Sequence, residues 1–212
     1  MQEHAHPTVT HALVALGGNL PTDAGSPGET MRAAITAIAR EIAKPGGVVS
    51  VSPFYETPCF PAGTGPDYIN AVMVLAVGGG ARDLLALLHR AEAKFGRERA
   101  QRWGQRTLDL DLLAFGDAVM PDIDGYSFWR DLPRDQQPQR APDDLILPHP
   151  RLQDRGFVLV PLRDVAPDWR HPVSGDTVVQ MLDRLDPVEI AKIRRLGPPS
   201  CDGWVVKGRP SL

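Results

Sequence analysis

Asp109 and Asp111 stand two positions apart in RTLDLDLLAFG, interleaved with Leu108, Leu110 and Leu112. Strict alternation of this kind predicts a half-buried strand with the leucines on one face and the aspartates on the other. The strand rise then sets the two acids about 7 Å apart along one edge of that face. Strands are poor in aspartate, so a pair demands a reason. Carboxylates suit Mg²⁺, which takes few protein ligands and fills its octahedron with water and phosphate oxygens. Immediately upstream, RERAQRWGQR carries Arg97, Arg99, Arg102 and Arg106. Guanidinium forks match phosphate oxygens two at a time. An acid pair to hold metal beside an arginine loop to hold phosphate would make a polyphosphate site. The same residues also suit a solvated acidic face next to an exposed basic loop, and spacing alone leaves both readings open.

The elements that must position this cluster follow from patterning. Val9 to Leu16 reads as a strand running into Gly17-Gly18-Asn19, and SPGETMRAAITAIAREIAKPGG as a helix with Met31, Ala34, Ile35, Ile38 and Ile42 at helical spacing. VVSVSPFYET and Tyr68 to Val77 read as β-rich runs separated by the Pro/Gly loop PCFPAGTGPD. ARDLLALLHRAEAKFG reads as a second helix closed by Gly96. The predicted order is β-α-β-β-α-β, an α+β, ferredoxin-like antiparallel sheet with both helices on one face and the other face open, followed by a C-terminal extension. The leucines then pack beneath the helices, and Asp109 and Asp111 look out over the open face.

Beyond Gly116 the pattern changes. Residues 117–144, rich in Pro, Asp, Arg and Gln, show no sustained period and read as a surface insertion. A further strand is expected at Phe157 to Val160 and a short helix in DTVVQMLDRL. We expect one domain over 8–190, a disordered N-terminus at 1–7 and a C-terminal tail at 191–212 that includes a late strand or ordered arm.

Composition narrows the possible partners. The 212 residues carry a net charge of −3, which gives no general attraction to nucleic acid or an anionic membrane. The first residues lack the apolar stretch of a secretory signal, and His4, His6 and His11 read as a solvated terminus. Cys59 and Cys201 lie far apart, and we expect reduced thiols in a cytoplasmic protein. GGNLPTDAG lacks the Gly-Lys-Ser/Thr ending of a P-loop, and no G-x-G-x-x-G opens a helix after a strand. Any use of ATP must therefore rely on side chains and metal.

Taken in order, ALGGNL, YETPCF with DYINAV, RWGQRTLDLDLLAFG and LPHPRLQDRGFVLVPLRDVAP resemble the 6-hydroxymethyl-7,8-dihydropterin pyrophosphokinase family of folate biosynthesis, over about Ala12 to Leu185. The resemblance implies transfer of a pyrophosphoryl group from ATP, the co-substrate, to the pterin hydroxymethyl oxygen, releasing AMP, with two Mg²⁺ ions held by Asp109 and Asp111. It implies catalytic roles for Arg97, Arg106 and Asp111. It places Glu92, Arg99, Arg102, Trp103, Leu112, Ile146, His149 and Arg155 on nucleotide-binding positions. Thr57, Pro58, Phe60, Tyr68, Asn70, Trp103 and Phe157 fall on the pterin pocket, where Tyr68 and Phe157 would stack on the rings and Asn70 would read an edge. The partners implied are small molecules, with no nucleic acid and no membrane, and the chain is expected to be a monomer.

Some positions depart from the family pattern. GGN stands where GSN is common, His89 where the family carries an amide, and Asp144 and Ile146 where some members have a basic residue and a hydroxyl. Two other functions compete. A non-catalytic ferredoxin-like module would bind RNA on an open sheet face, and a metal-dependent phosphohydrolase would cleave nucleotides without a pterin.

Overall fold

Local chemistry starts the first helix sharply. In the computed structural model, α1 (Pro27–Glu41) follows Ser26, whose hydroxyl accepts from Glu29 N while the Glu29 carboxylate accepts from Ser26 N at 2.8 Å. Pro27 needs no intrahelical N–H partner at this position. The structure describes residues 9–42, 46–59, 63, 65–96, 107–133, 135–137 and 139–197.

Before α1 comes strand β1 (Thr10–Gly18), and after it β2 (Gly47–Val51), β3 (Phe54–Thr57), β4 (Tyr68–Val77), α2 (Ala81–Lys94) and β5 (Asp109–Phe115). The sheet is antiparallel in every pairing, ordered β5-β1-β4-β3 and extended by β6 (Arg194–Gly197), with β2 alongside β3 on the same edge of β4. The α+β class and the antiparallel sheet agree with expectation, but the strand order is not that of a plain four-stranded unit. The run 48–57 is two strands, because Pro53 has no N–H to donate, although Ser52 N still donates to Val72 O at 2.8 Å. The Ser52 hydroxyl takes over a backbone role there, accepting from Val72 N at 3.0 Å. β6 lies within the expected tail, and its Arg194 pairs with Glu56 of β3.

Alternation along the central strands feeds two clusters. Ala12, Val14, Leu16, Ala71, Met73, Leu75, Leu108, Leu110 and Leu112 pack with Met31, Ile35, Ile38, Leu84 and Leu88 of α1 and α2. Leu13, Val72, Val74 and Leu113 form a second cluster on the opposite face with Val158, Leu159, Leu162, Val165, Val178 and Met181. These last residues belong to α4 (Gly156–Val165) and α5 (Val178–Leu182), which, with α3 (Ile123–Arg130) and α6 (Pro187–Ala191), complete the chain's α-helices among the described residues.

Three expectations are corrected here. The second sheet face is not open, because α4 and α5 cover its Leu13–Val74–Leu113 part. Phe157 to Val160 is helical rather than a strand: four apolar residues are too short to set a period, whereas buried Val158, Leu159, Leu162 and Val165 repeat at helical spacing. The insertion contains α3, capped by Asp122 Oδ1 accepting from Gly125 N at 2.8 Å. Only Tyr126 of α3 is buried, so no apolar stripe announces that helix. Among the described residues no helix is long and apolar enough to cross a membrane. Residues 1–8 and 198–212 lie outside the described set.

Candidate active site

The acids face as the alternation requires. Leu108, Leu110 and Leu112 lie beneath α1 and α2, and Asp109 and Asp111 occupy the opposite face, partly exposed. A register shift between Leu13 and Val14 leaves Leu113 bulged opposite them. Leu113 already shares the aspartate face by alternation, and the bulge brings Ala114 to that face beside it, so the polar end of β5 passes into a covered one within a few residues.

Register defines what lies beside the acids. Asp109 pairs with Gly17, Gly17 with Asn70, and Asn70 with Tyr55, giving one row across four strands. Gly17 is what lets this row form. A Cβ added there would lie 3.1 Å from Asn70 Oδ1, closer than ordinary contact. Asn70 is buried and donates through Nδ2 to Thr57 Oγ1 at 2.8 Å, which fixes its amide. Thr57 pairs in turn with Tyr68. At the end of β1, buried Asn19 donates to Pro66 O at 3.0 Å, fastening the first loop to the loop before β4.

Cationic and imidazole groups come from the chain after the insertion. Arg155 approaches Asp111 to 3.7 Å, and its guanidinium carbon lies 5.7 Å from the ring centre of Phe157, which is 40% exposed. His149 donates its N–H to Leu113 O at 2.8 Å, and its Nδ1 accepts from Arg151 N at 3.1 Å. That acceptance assigns the ring proton to Nε2. Removal from water, then the neighbouring Arg155 guanidinium, push the imidazole down to about 3 against the opposing pull of Asp109. His149 is therefore a neutral donor at physiological pH.

Glu92 sits on the other side of the strand. Its buried carboxylate accepts from Leu110 N at 2.8 Å, the amide between the two aspartates. Leu112 is in the helix-side core and Ile146 is buried, while Pro58 is exposed beside Thr57. Asp144 forms an ion pair with Arg82 of α2 at 2.9 Å, and His89 is on the exposed side of that helix. Phe60, Arg97, Arg99, Arg102, Trp103 and Arg106 lie outside the described residues.

The structure thus brings Asp109, Asp111, His149, Arg155 and Phe157 to one end of the sheet, next to Asn70, Thr57 and Tyr68. Gly17 and Arg151 complete this arrangement without having been singled out as site residues; Gly17 was legible in GGN, Arg151 only through its contacts. Among the described residues no group of three or more His, Cys, Asp or Glu gathers to enclose a metal. Two carboxylates on one strand face fit a hard cation that takes its other oxygens from water and substrate.

Residues 13–167 match the family model described as 7,8-dihydro-6-hydroxymethylpterin-pyrophosphokinase (HPPK). The chain belongs to this family. An HPPK relative from Synechocystis, a 2-amino-4-hydroxy-6-hydroxymethyldihydropteridine pyrophosphokinase, is 38% identical over 177 residues, covering 82% of this chain and 76% of its own. The Pseudomonas aeruginosa protein of the same name is 39% identical over 165 residues, covering 77% and 85%. A Plasmodium falciparum HPPK-DHPS crystal structure superimposes with a TM-score of 0.57 at 14% identity, over 86% of this chain and 46% of that one, a likeness of fold.

Proposed function

We propose that pyrophosphoryl transfer from ATP to 6-hydroxymethyl-7,8-dihydropterin, the HPPK reaction of folate biosynthesis, takes place at the sheet end between Asp109 and Tyr68. The observation that carries this reading is the row Asp109–Gly17–Asn70, which sets a cation-binding acid and a fixed amide side by side over a glycine. Asp109 and Asp111 would hold divalent cation, two Mg²⁺ ions in this reading. When bound, such ions neutralise the triphosphate and favour in-line attack at its β-phosphorus.

The protein's own groups do the rest. Asn70, fixed by Thr57, reads the pterin edge, and the residues around Pro58 and Phe60 border it; Tyr68 and Phe157 flank the rings. His149, as a neutral Nε2–H donor, and Arg155 bind phosphate oxygens. Arg97 and Arg106 would stabilise charge developing on the transferred group, while Arg99, Arg102 and Trp103 from the same stretch of sequence would contact the nucleotide. Glu92 serves the nucleotide side through the β5 backbone that it holds, and Leu112 and Ile146 line that side. Within this reading β1 to β5, with β2 and β3 counted as one interrupted strand, is the ferredoxin-like unit of a single domain over 8–190. We place the enzyme in the cytoplasm as a monomer with small-molecule partners.

The test is product identity. Incubation with ATP, Mg²⁺ and the pterin should give AMP only when the pterin is present. ADP, or AMP without acceptor, would point to a phosphohydrolase instead. An RNA-binding module needs an exposed sheet face, and α4 and α5 cover much of the one available.

A further inference from the structure

The segment from Met120 to Leu132 holds none of the residues assigned above to the pyrophosphokinase reaction, yet it is built firmly into the protein. Met120 and Leu147 exchange backbone hydrogen bonds of 2.8 and 3.1 Å. Tyr126 is fully buried, with its hydroxyl 3.1 Å from His171 Nε2, and the Arg130 guanidinium lies 5.9 Å from the Tyr126 ring centre.

One side chain holds the other end of α3. Arg151 donates from Nη1 to Arg130 O at 3.2 Å and from Nη2 to Leu132 O at 2.8 Å. Arg130 O is one of the carbonyls that a helix leaves without internal partners at its C-terminal end, and Leu132 O lies two residues beyond it. Nη1 also reaches Asp154 Oδ2 at 3.3 Å, one residue ahead of Arg155. The backbone N–H of Arg151 is the donor to His149 Nδ1. A single residue therefore touches the insertion and the turn that carries His149, and braces the residue next to Arg155.

We propose that Arg151 is a positioning residue: it fixes α3 to the His149 turn, so that residues 120–132 set how His149 and Arg155 meet the nucleotide phosphates. The inference rests on the nucleotide reading of those two residues. His149 has its N–H on Leu113 O and its Nδ1 on Arg151 N–H, so its ring follows the turn. Removing the guanidinium releases the Arg130 and Leu132 carbonyls and loosens that turn. The Asn70–Thr57 pair lies on β3 and β4 and shares none of these bonds.

Arg151→Met keeps the side-chain stem and removes its donors; Arg151→Lys keeps one cationic donor. Each folded variant is titrated with Mg²⁺ and a non-hydrolysable ATP analogue, and separately with the pterin. Analogue affinity should fall about 10-fold in Arg151→Met, the scale of a lost supporting hydrogen-bond partner. It should recover largely in Arg151→Lys, with pterin affinity affected far less throughout. Unchanged analogue affinity in Arg151→Met overturns the proposal, as does equal weakening of both ligands. Should Arg151→Met fail to fold, wild-type hydrogen exchange decides: amides of 123–132 gain protection when the analogue binds, and no gain overturns the proposal. Wild-type protein that forms AMP with the pterin, alongside an Arg151→Met variant that binds the analogue normally, removes the positioning role and leaves the pyrophosphokinase reading intact. Wild-type protein that binds no analogue overturns both.

Discussion

Replacing Gly17 with alanine should weaken pterin binding while leaving the protein's stability almost unchanged. The new methyl would sit 3.1 Å from Asn70 Oδ1, where ordinary contact begins at 3.4 Å. Asn70 cannot simply retreat, because its Nδ2 is bonded to Thr57 Oγ1 at 2.8 Å in a buried setting. The cost falls on that hydrogen bond or on the orientation of the amide. A misaligned neutral hydrogen bond is worth about 0.5–1.5 kcal/mol, which corresponds to a roughly 2- to 10-fold rise in the pterin dissociation constant. For global stability a second effect opposes the first. Alanine restricts the unfolded chain, and glycine within a strand costs about 0.5–1 kcal/mol relative to alanine, so the two nearly cancel. Calorimetric titration with the pterin in the presence of a non-hydrolysable ATP analogue measures the first quantity, and thermal melting the second. Unchanged pterin affinity in a folded Gly17→Ala protein, or a loss confined to the nucleotide analogue, would refute the placing of the pterin over the Asp109–Gly17–Asn70 row.

Other perturbations test other parts of the structure. Asp111→Asn should lower turnover on the order of 10²–10³-fold, the scale of a lost charge-stabilising group, and weaken Mn²⁺ binding followed by electron paramagnetic resonance. Its melting temperature should hardly move, because among the described residues the ion pair lost is the partly exposed one with Arg155. Burial holds His171 below its ordinary range, and its Nδ1 already accepts from Val173 N and Ser174 N. The folded state therefore binds that proton less readily than the unfolded chain does. Its contribution to stability is complete above about pH 6.5 and is lost as pH falls below that value, by at most about 1.4 kcal/mol per unit. Melts at pH 7.5 and 5.5 should show a smaller acid penalty for His171→Gln than for wild type. Ser26→Ala should cost about 1 kcal/mol in urea denaturation, since it removes the hydroxyl that caps α1.

The reacting face was readable because its signal is local. Leucine–aspartate alternation fixed the faces of β5, and the leucines do lie beneath α1 and α2. Helices α1 and α2 showed themselves through apolar spacing and their stop signals. The errors arose where the deciding partner is remote in sequence. Phe157 to Val160 becomes helical through burial against Leu13, Val72 and Val74, strand residues more than 80 positions upstream. The same packing closes a sheet face that four strands and two helices would leave bare. Helix α3 was missed because it buries one tyrosine and is stabilised by a cap and by Arg151, neither of which leaves a periodic trace. Glu92 was legible as a residue of interest, but its bond to Leu110 N depends on how α2 lies across β5.

Strand β4 is constrained from both of its faces. From Ala71 to Leu75 every residue is buried, with odd positions facing α1 and α2 and even ones facing α4. A strand with water on neither side offers no harmless site for sequence drift, since an unpaired charge introduced at either parity enters a dry interior. Random variation surviving selection should therefore thin out across these five positions and gather in the Pro- and Gln-rich stretch after Asp131, where solvent absorbs it.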